Sequence, residues 1–285
     1  MARSIKPVAL ALSALMLSFC AARAKKPLVD PFPLRFPLVE AGTLEIDGHV
    51  AGQPRVQDGI VYYATREGDL TAIVVPSRNI LWRRPVDGAV PDGAGSFGPS
   101  QETASPALKV EGSKIRAVDG ADRTLWEFAA QGTIGAEPVV RDGRVYFGTA
   151  ERVFTCLDAK SGKKVWSRRL QGAPLHPAVI AGGTIAVVAS NSVVYRLARR
   201  GGSILSWEAI QSRKVYALGA AGSLVLVSSA SSVITAIDLR TGKRAGQYEA
   251  SGPLVAGALW SPPFVILCVE DEESGRQRLV FLRSR

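Results

Sequence analysis

The chain is predicted to be all-β, a β-propeller of four-stranded blades. The prediction rests on a strand pattern recurring at a period near 40 residues, on a tryptophan or glycine marking the last strand of each copy, and on incomplete copies at the two chain ends. The clearest copy runs from Pro138 to Trp166. Proline opens a first strand, the Asp142-Gly143 turn leads into an alternating second, a third ends at Asp158, and a Ser161-Gly162-Lys163 turn leads into a fourth containing Trp166. A sister copy opens at Pro54 and reaches Trp82, and both proline-to-tryptophan spans are 28 residues. Further copies open at Pro177 and near Tyr216, and a decayed one is expected from Pro106 to Trp126. The last starts at Pro253, with strands expected at 253–255, 264–269 and 279–282.

Fourth strands centred on Gly42, Trp82, Trp126, Trp166, Trp207 and Gly246 are separated by 40, 44, 40, 41 and 39 residues. Such a period has a physical reason: a lone four-stranded sheet leaves both faces wet, whereas sheets packed radially bury those faces and protect most edges. The final copy lacks a fourth strand, and the segment from Gly42 to Gly48 reads as a fourth strand with no preceding three. The two pieces are expected to share one blade, so that the N-terminal strand closes the ring and removes an open edge. Six blades are expected. The long connection from Pro85 to Ser105, rich in Gly, Pro and Ser, leaves room for a seventh.

The N-terminus reads as an export signal. Arg3 and Lys6 precede an apolar run from Val8 to Phe19, and Ala22-Arg23-Ala24 supplies a small-x-small cleavage pattern. Residues 1–24 are therefore expected to be a signal peptide, 25–37 a linker and 38–285 a single propeller domain. The apolar run is shorter than the roughly 20 residues of a spanning helix, and nothing later approaches that length. The mature chain is expected to be an exported monomer of the periplasm or cell envelope with no transmembrane segment. Cys20 offers a lipidation site, a reading disfavoured because Phe19, not a small residue, precedes it. The formal charge of +10 favours acidic partners or an anionic surface, while export argues against nucleic acid. Cys156 and Cys268 fall on distant blades, too few and too far apart for a disulfide framework; Cys156 takes the place of Ala72 and Ala236 in sister copies.

The pattern of a small residue, one residue, aspartate, two residues, serine or threonine, glycine and then tryptophan stands here as Cys156-Leu157-Asp158 with Ser161-Gly162 and Trp166. It recurs as Ala236-Ile237-Asp238 with Thr241-Gly242. It resembles the pyrroloquinoline-quinone-like propeller repeat of the quinoprotein-alcohol-dehydrogenase-like superfamily, over nearly all of residues 36 to 282. Asp158, Gly162, Trp166, Asp238, Gly242, Trp82 and Trp126 are read as structural, because aspartate accepts backbone bonds across a turn and glycine takes the positive φ the turn needs. The resemblance implies one of two functions. Quinone-dependent dehydrogenases of the superfamily are much longer and carry a metal, a catalytic aspartate and often adjacent cysteines, which this chain lacks. Non-catalytic envelope propellers, similar to the lipoprotein of the outer-membrane protein assembly machinery, bind partners through loops.

A search for chemistry favours the second branch. His49 and His176 are the only histidines, and no other His or Cys falls near them in the repeat frame to make a zinc site. The acidic run Glu270 to Glu273 lacks the ligand spacing of a calcium loop and reads as a hairpin tip. No catalytic residue, cofactor or metal is expected, and the chain is read as a protein-binding scaffold that takes envelope proteins as partners, with outer-membrane assembly components among them. A quinone-dependent dehydrogenase, or a propeller binding a sugar or wall fragment in its channel, is the alternative. The candidate partner-binding residues are Phe97, in the long connection, and the neighbouring tips Arg66, Glu67, Glu151 and Arg152. The third-to-fourth loops, expected on the opposite face, are rich in Lys and Arg.

Overall fold

A computed structural model describes residues 33–85, 107–174, 176–212 and 215–285. Blade 1 comprises β2 (Val50–Gln57), β3 (Ile60–Thr65), β4 (Asp69–Val74) and β5 (Asn79–Pro85). Blade 2 shows β6 (Ala107–Glu111), β7 (Lys114–Val118) and β8 (Thr124–Ala129). Blade 3 is β9 (Val139–Arg141), β10 (Arg144–Gly148), β11 (Val153–Asp158) and β12 (Lys164–Arg169). Blade 4 is β13 (Val179–Ala181), β14 (Thr184–Val188), β15 (Val193–Ala198) and β16 (Ile204–Ala209). Blade 5 is β17 (Val215–Ala221), β18 (Leu224–Ser229), β19 (Val233–Asp238) and β20 (Arg244–Glu249). In blade 6, β21 (Leu259–Ser261), β22 (Phe264–Glu270) and β23 (Gln277–Ser284) are completed by β1 (Leu38–Glu45). All pairings are antiparallel, and β1 lies along β23 with Thr43 opposite Val280. The ring is closed as the sequence predicts, by its N-terminal strand.

The middle strands read as continuous apolar runs because each blade is covered on both sides. In β10, Val145 and Phe147 face blade 2 while Tyr146 faces blade 4, and all three are buried. Five hydrophobic clusters fill the junctions between blades 2 and 3, 3 and 4, 4 and 5, 5 and 6, and 6 and 1. Residues 86–106, which link blades 1 and 2 in sequence, are outside the described residues.

A bulge recurs in the fourth strand of all six blades, at Glu40/Gly42 in β1 and opposite the third-strand pairs Ala72/Ile73, Ala117/Val118, Cys156/Leu157, Arg196/Leu197 and Ala236/Ile237 in the others. It gives an alignment independent of residue type. The residues just past the bulge are Gly42, Trp82, Trp126, Trp166, Ser206 and Gly246. This corrects one expectation: Ser206, not Trp207, holds the tryptophan position of blade 4. Trp207 pairs with Tyr195 one step along and is 65% exposed. Two further corrections follow from the strands. The last blade opens at Leu259, not Pro253; Leu254 only bridges to Val269 in the connection before it. In blade 2, the strand after Pro106 is the counterpart of a second strand, since β7 and β8 hold the third and fourth places.

Candidate partner-binding surfaces

In blades 1, 3, 4 and 5 the third-to-fourth turn is tied to the first-to-second hairpin of its own blade. Ala159 N donates to Gly143 O, Arg199 N to Gly183 O, and Leu239 N to Ser223 O. The second-to-third turns are tied instead to the connections entering the blade, through Arg66 N to His49 O, Ala150 N to Thr133 O and Ser190 N to Ala173 O. The ring therefore has two faces carrying different loop sets. The sequence-derived turn residues lie on the first face. Asp158 Oδ1 accepts from the Ser161 N–H and hydroxyl, and Asp238 Oδ1 accepts from the Arg240 and Thr241 N–H groups. The Ser161 bonds hold the Asp158 carboxyl below its ordinary range. At Asp238, burial opposes the downward shift that the Arg240 guanidinium and N–H produce.

The motif residues also join neighbouring blades. Trp126 of blade 2 donates its indole N–H to Ala159 O of blade 3 at 2.9 Å, and Trp166 of blade 3 donates to Arg199 O of blade 4 at 3.1 Å. Under them, a Cβ added to Gly162 would lie 2.6 Å from the Trp126 ring, and one on Gly202 would lie 2.4 Å from the Trp166 ring. Both glycines also have positive φ, so the turn and the ring packing each demand the missing side chain. Where blade 4 has Ser206, Arg196 of the same blade donates to Leu239 O and Arg240 O, supplying the bond that an indole makes elsewhere. Where blade 5 has Gly246, Phe36 from the segment before β1 fills the space. Trp82 packs against Tyr62 and beneath the Arg84 guanidinium.

On the second face, the four candidate tips that are described divide into two kinds. Glu67 is drawn into the fold: Oε2 accepts from His49 N and Oε1 from His49 Nδ1, both at 2.8 Å. These bonds hold its carboxyl at about 2. Glu151 lies against Gly132, where an added Cβ would come within 2.3 Å of its Cγ, and Asn191 stands likewise against Gly172. Gly132 and Gly172, six residues after Trp126 and Trp166, thus make room for the tip of the neighbouring turn. The Arg66 and Arg152 side chains are exposed, with no ion-pair partner among the described residues. Phe97, the fifth candidate, is outside the described residues. The acidic run sits on this face too, where Asp271 accepts from Ser274 N and Oγ, repeating the turn of Asp158 and Ser161.

The sequence reading missed an apolar outer strand. In β16, Ile204, Leu205 and Trp207 are 44%, 46% and 65% exposed. The signal was in plain view, but aligning Trp207 with the packed tryptophans concealed it. A cavity of about 820 Å³ is lined by residues in or just before the first strands, among them Arg55, Glu137, His176, Tyr216 and Trp260, and extends along blade 1 to Tyr62, Leu70 and Trp82. Arg55 and Glu137 approach to 3.9 Å, and burial lowers the arginine's pKa. A smaller recess of about 330 Å³ opens on the first face between blades 3 and 4, beside Arg144, Tyr146, Trp166, Arg199 and Arg200. Among the described residues, no three His, Cys, Asp or Glu side chains converge as a metal site would require. Cys156 and Cys268 are free and buried, and desolvation raises both thiols, Cys156 to about 11. Neither has the lowered pKa of a nucleophile.

Comparison with known proteins agrees with this architecture. Residues 111–270 match the family model for outer membrane protein assembly factor BamB. The factor of that name from Burkholderia pseudomallei is 30% identical over 190 residues, covering 65% of this chain and 49% of its own length. That from Bordetella pertussis is 25% identical over 122 residues, 43% of this chain and 30% of its own. The chain thus spans half or less of the length of these relatives. Among solved structures, the computationally designed Ika8 protein matches with a TM-score of 0.50 and 17% identity over 81% of this chain and 70% of that one, a likeness of fold alone. BamB from Moraxella catarrhalis gives 0.47 and 16% over 85% and 63%. With more than half of its residues matched by that one model, the chain belongs to the family of outer membrane protein assembly factor BamB.

Proposed function

We propose that the protein is a non-catalytic scaffold of the cell envelope that binds other proteins during outer-membrane protein assembly. The observation that carries the reading is the family match over residues 111–270. The site chemistry supports it. The aspartates of the repeat are engaged as turn acceptors, the tryptophans as junction donors and the cysteines as buried filler, so the ring presents surfaces and not a reaction centre. Residues 1–24 act in this reading as an export signal and 38–285 as the binding domain. The partner-binding face is the second one, where Arg66 and Arg152 stand free and where the connection containing Phe97 departs after β5.

The test is cross-linking and recovery of partners from intact envelopes, with the native chain and the paired reversal Arg66→Glu with Arg152→Glu. The reading expects assembly components with the native chain and a severalfold lower yield with the reversal. Equal recovery would move the interface off this face, and recovery of no outer-membrane assembly component would remove the functional reading itself. Purified protein is also expected to bind no quinone in the presence of calcium. Stoichiometric binding with substrate-dependent dye reduction would reinstate the dehydrogenase alternative.

A further inference from the structure

The first face carries a charge asymmetry that the fold does not require. On blades 3 to 5 its carboxylates are already occupied: Asp142 pairs with Arg199 at 2.6 Å, Asp158 with Arg144 at 2.6 Å, and Asp238 with Arg240 at 3.1 Å. Lys160, Lys163, Lys164, Arg200 and Lys243 are exposed and have no carboxylate within ion-pairing distance among the described residues. All five sit in or beside the third-to-fourth turns of blades 3, 4 and 5. These turns are neighbours: Arg199 of blade 4 reaches Asp142 of blade 3, and Arg196 of blade 4 reaches Leu239 and Arg240 of blade 5. On blades 1 and 2 the same face differs. Arg123 is paired with Asp119 and Lys109 with Asp122, while Arg78 turns inward to donate to Ala41 O. The uncompensated positive charge is therefore concentrated on blades 3 to 5 and continues onto blade 6, where Arg283 at the end of β23 is exposed with no ion pair among the described residues.

We propose that this three-blade patch seats the ring on an anionic lipid surface through headgroup phosphates. A protein partner's interface is organised around large side chains that are desolvated at its centre. Here the exposed residues between the cations in the turns are Ser161, Gly201 and Thr241, and the nearest exposed apolar side chains in sequence, Val165, Ile204 and Leu205, belong to β12 and β16, so the turn tips themselves offer charge. Lysine dominates, a hydrated point charge that acts through a diffuse field without a fixed bidentate geometry. An anionic bilayer attracts such residues at the surface within a Debye length and needs no complementary shape. The recess beside Arg200, whose walls include Arg144, the paired Arg199 and Asp142, and Val165, opens within the patch and has room for one phosphate group. This inference goes beyond the scaffold reading and does not depend on it; a ring seated this way turns its second face toward soluble partners.

The experiment is vesicle flotation with the chain from Lys25 onward, which omits the apolar run Val8 to Phe19 that would itself enter lipid. Phosphatidylcholine vesicles are compared with vesicles also containing phosphatidylglycerol. Binding is expected only with the anionic lipid, and it should fall steeply between about 0.1 M and about 1 M salt as the Debye length shrinks from about 10 to about 3 Å. The combined reversal Lys160→Glu, Lys163→Glu, Lys164→Glu should weaken partitioning by roughly tenfold or more. A second variant, Arg200→Glu with Lys243→Glu, should weaken it also, and its melting curve, with that of the first, shows whether the fold is retained. Reversal of Arg66 and Arg152 on the other face should leave partitioning unchanged. Equal binding to both vesicle types, no binding to either, or undiminished binding by a folded reversal variant would each overturn the proposal. Lipid binding lost with partner recovery intact would separate this surface from the scaffold's own.

Discussion

The junction between blades 2 and 3 and the junction between blades 4 and 5 do the same work with different residues. In the first, the Trp126 indole lies over Gly162 and bonds to Ala159 O. In the second, Ser206 stands over Gly242 and the Arg196 guanidinium bonds to Leu239 O and Arg240 O. What persists across the three junctions from blade 2 to blade 5 is a donor for one turn carbonyl and a glycine beneath it. The identity of the donor drifts because an indole and a guanidinium can each cross the gap. The difference lies in how much apolar surface goes with the bond: Trp126 is 9% exposed, within a cluster that also holds Ile115, Val145 and Phe147.

Truncation sharpens that comparison most strongly. Trp126→Ala is expected to destabilise by about 3–5 kcal/mol, the range for a large buried ring replaced by a cavity. Ser206→Ala at the equivalent position should cost less than about 1 kcal/mol. Chemical denaturation of the two variants checks this, and equal costs would mean that the junctions are not equivalent.

This contrast also explains what the sequence disclosed. The period, the four-strand copies and the closure by an N-terminal strand, read at Gly42 to Gly48 and found at Leu38–Glu45, were legible because turn glycines and alternating apolar runs are local signals. The position of Ser206 was not, since a chance tryptophan stands beside it and Arg196 is distant in sequence. Leu259 as the opening of the last blade was hidden for a similar reason: Pro262-Pro263 replaces the Asp-Gly turn that marks Asp142-Gly143, and Pro253 imitated a first-strand proline. Among the candidate tips, Glu67 and Glu151 looked like free interface charge, because nothing local reveals that Gly48 and Gly132 stand behind them.

Glycine substitution gives the next effect in size. Gly162 and Gly143 have nearly the same φ, +68° and +69°, but an added Cβ meets the Trp126 ring at the first and nothing within 4 Å at the second. Gly143→Ala should cost about 1–2 kcal/mol from backbone strain alone. Gly162→Ala should cost about 2–4 kcal/mol, because overpacking against the ring is added. Loss of the guanidinium donor comes lower: Arg196→Met should cost about 1–2 kcal/mol, the scale of a lost charged hydrogen bond. A Trp at position 206 combined with that change tests whether an indole restores the junction.

The smallest effect concerns pH on the second face. The His49 bonds lower the Glu67 carboxyl from its ordinary 4.5 to about 2, so the native state holds fewer protons than the unfolded chain in that interval. The contribution is complete above about pH 4.5 and is lost as pH falls toward 2. Because both side chains are about half exposed, solvent screens it and the gain is modest. Melting of Glu67→Gln should lie slightly below that of the native chain at neutral pH and coincide with it near pH 2.

Closure of the ring by β1 is what joins the first and last blades. Amide hydrogen exchange read by mass spectrometry tests it directly, with the peptide 277–284 of β23 compared with 144–158 of blade 3. With β1 in place, both should be strongly protected, since β23 bonds to β1 on one side and β22 on the other. A variant lacking residues 33–45 should lose protection first and most in 277–284, while 144–158 keeps more of its own. Equal protection of 277–284 with and without that segment would show that β1 does not close the ring and would contradict the account.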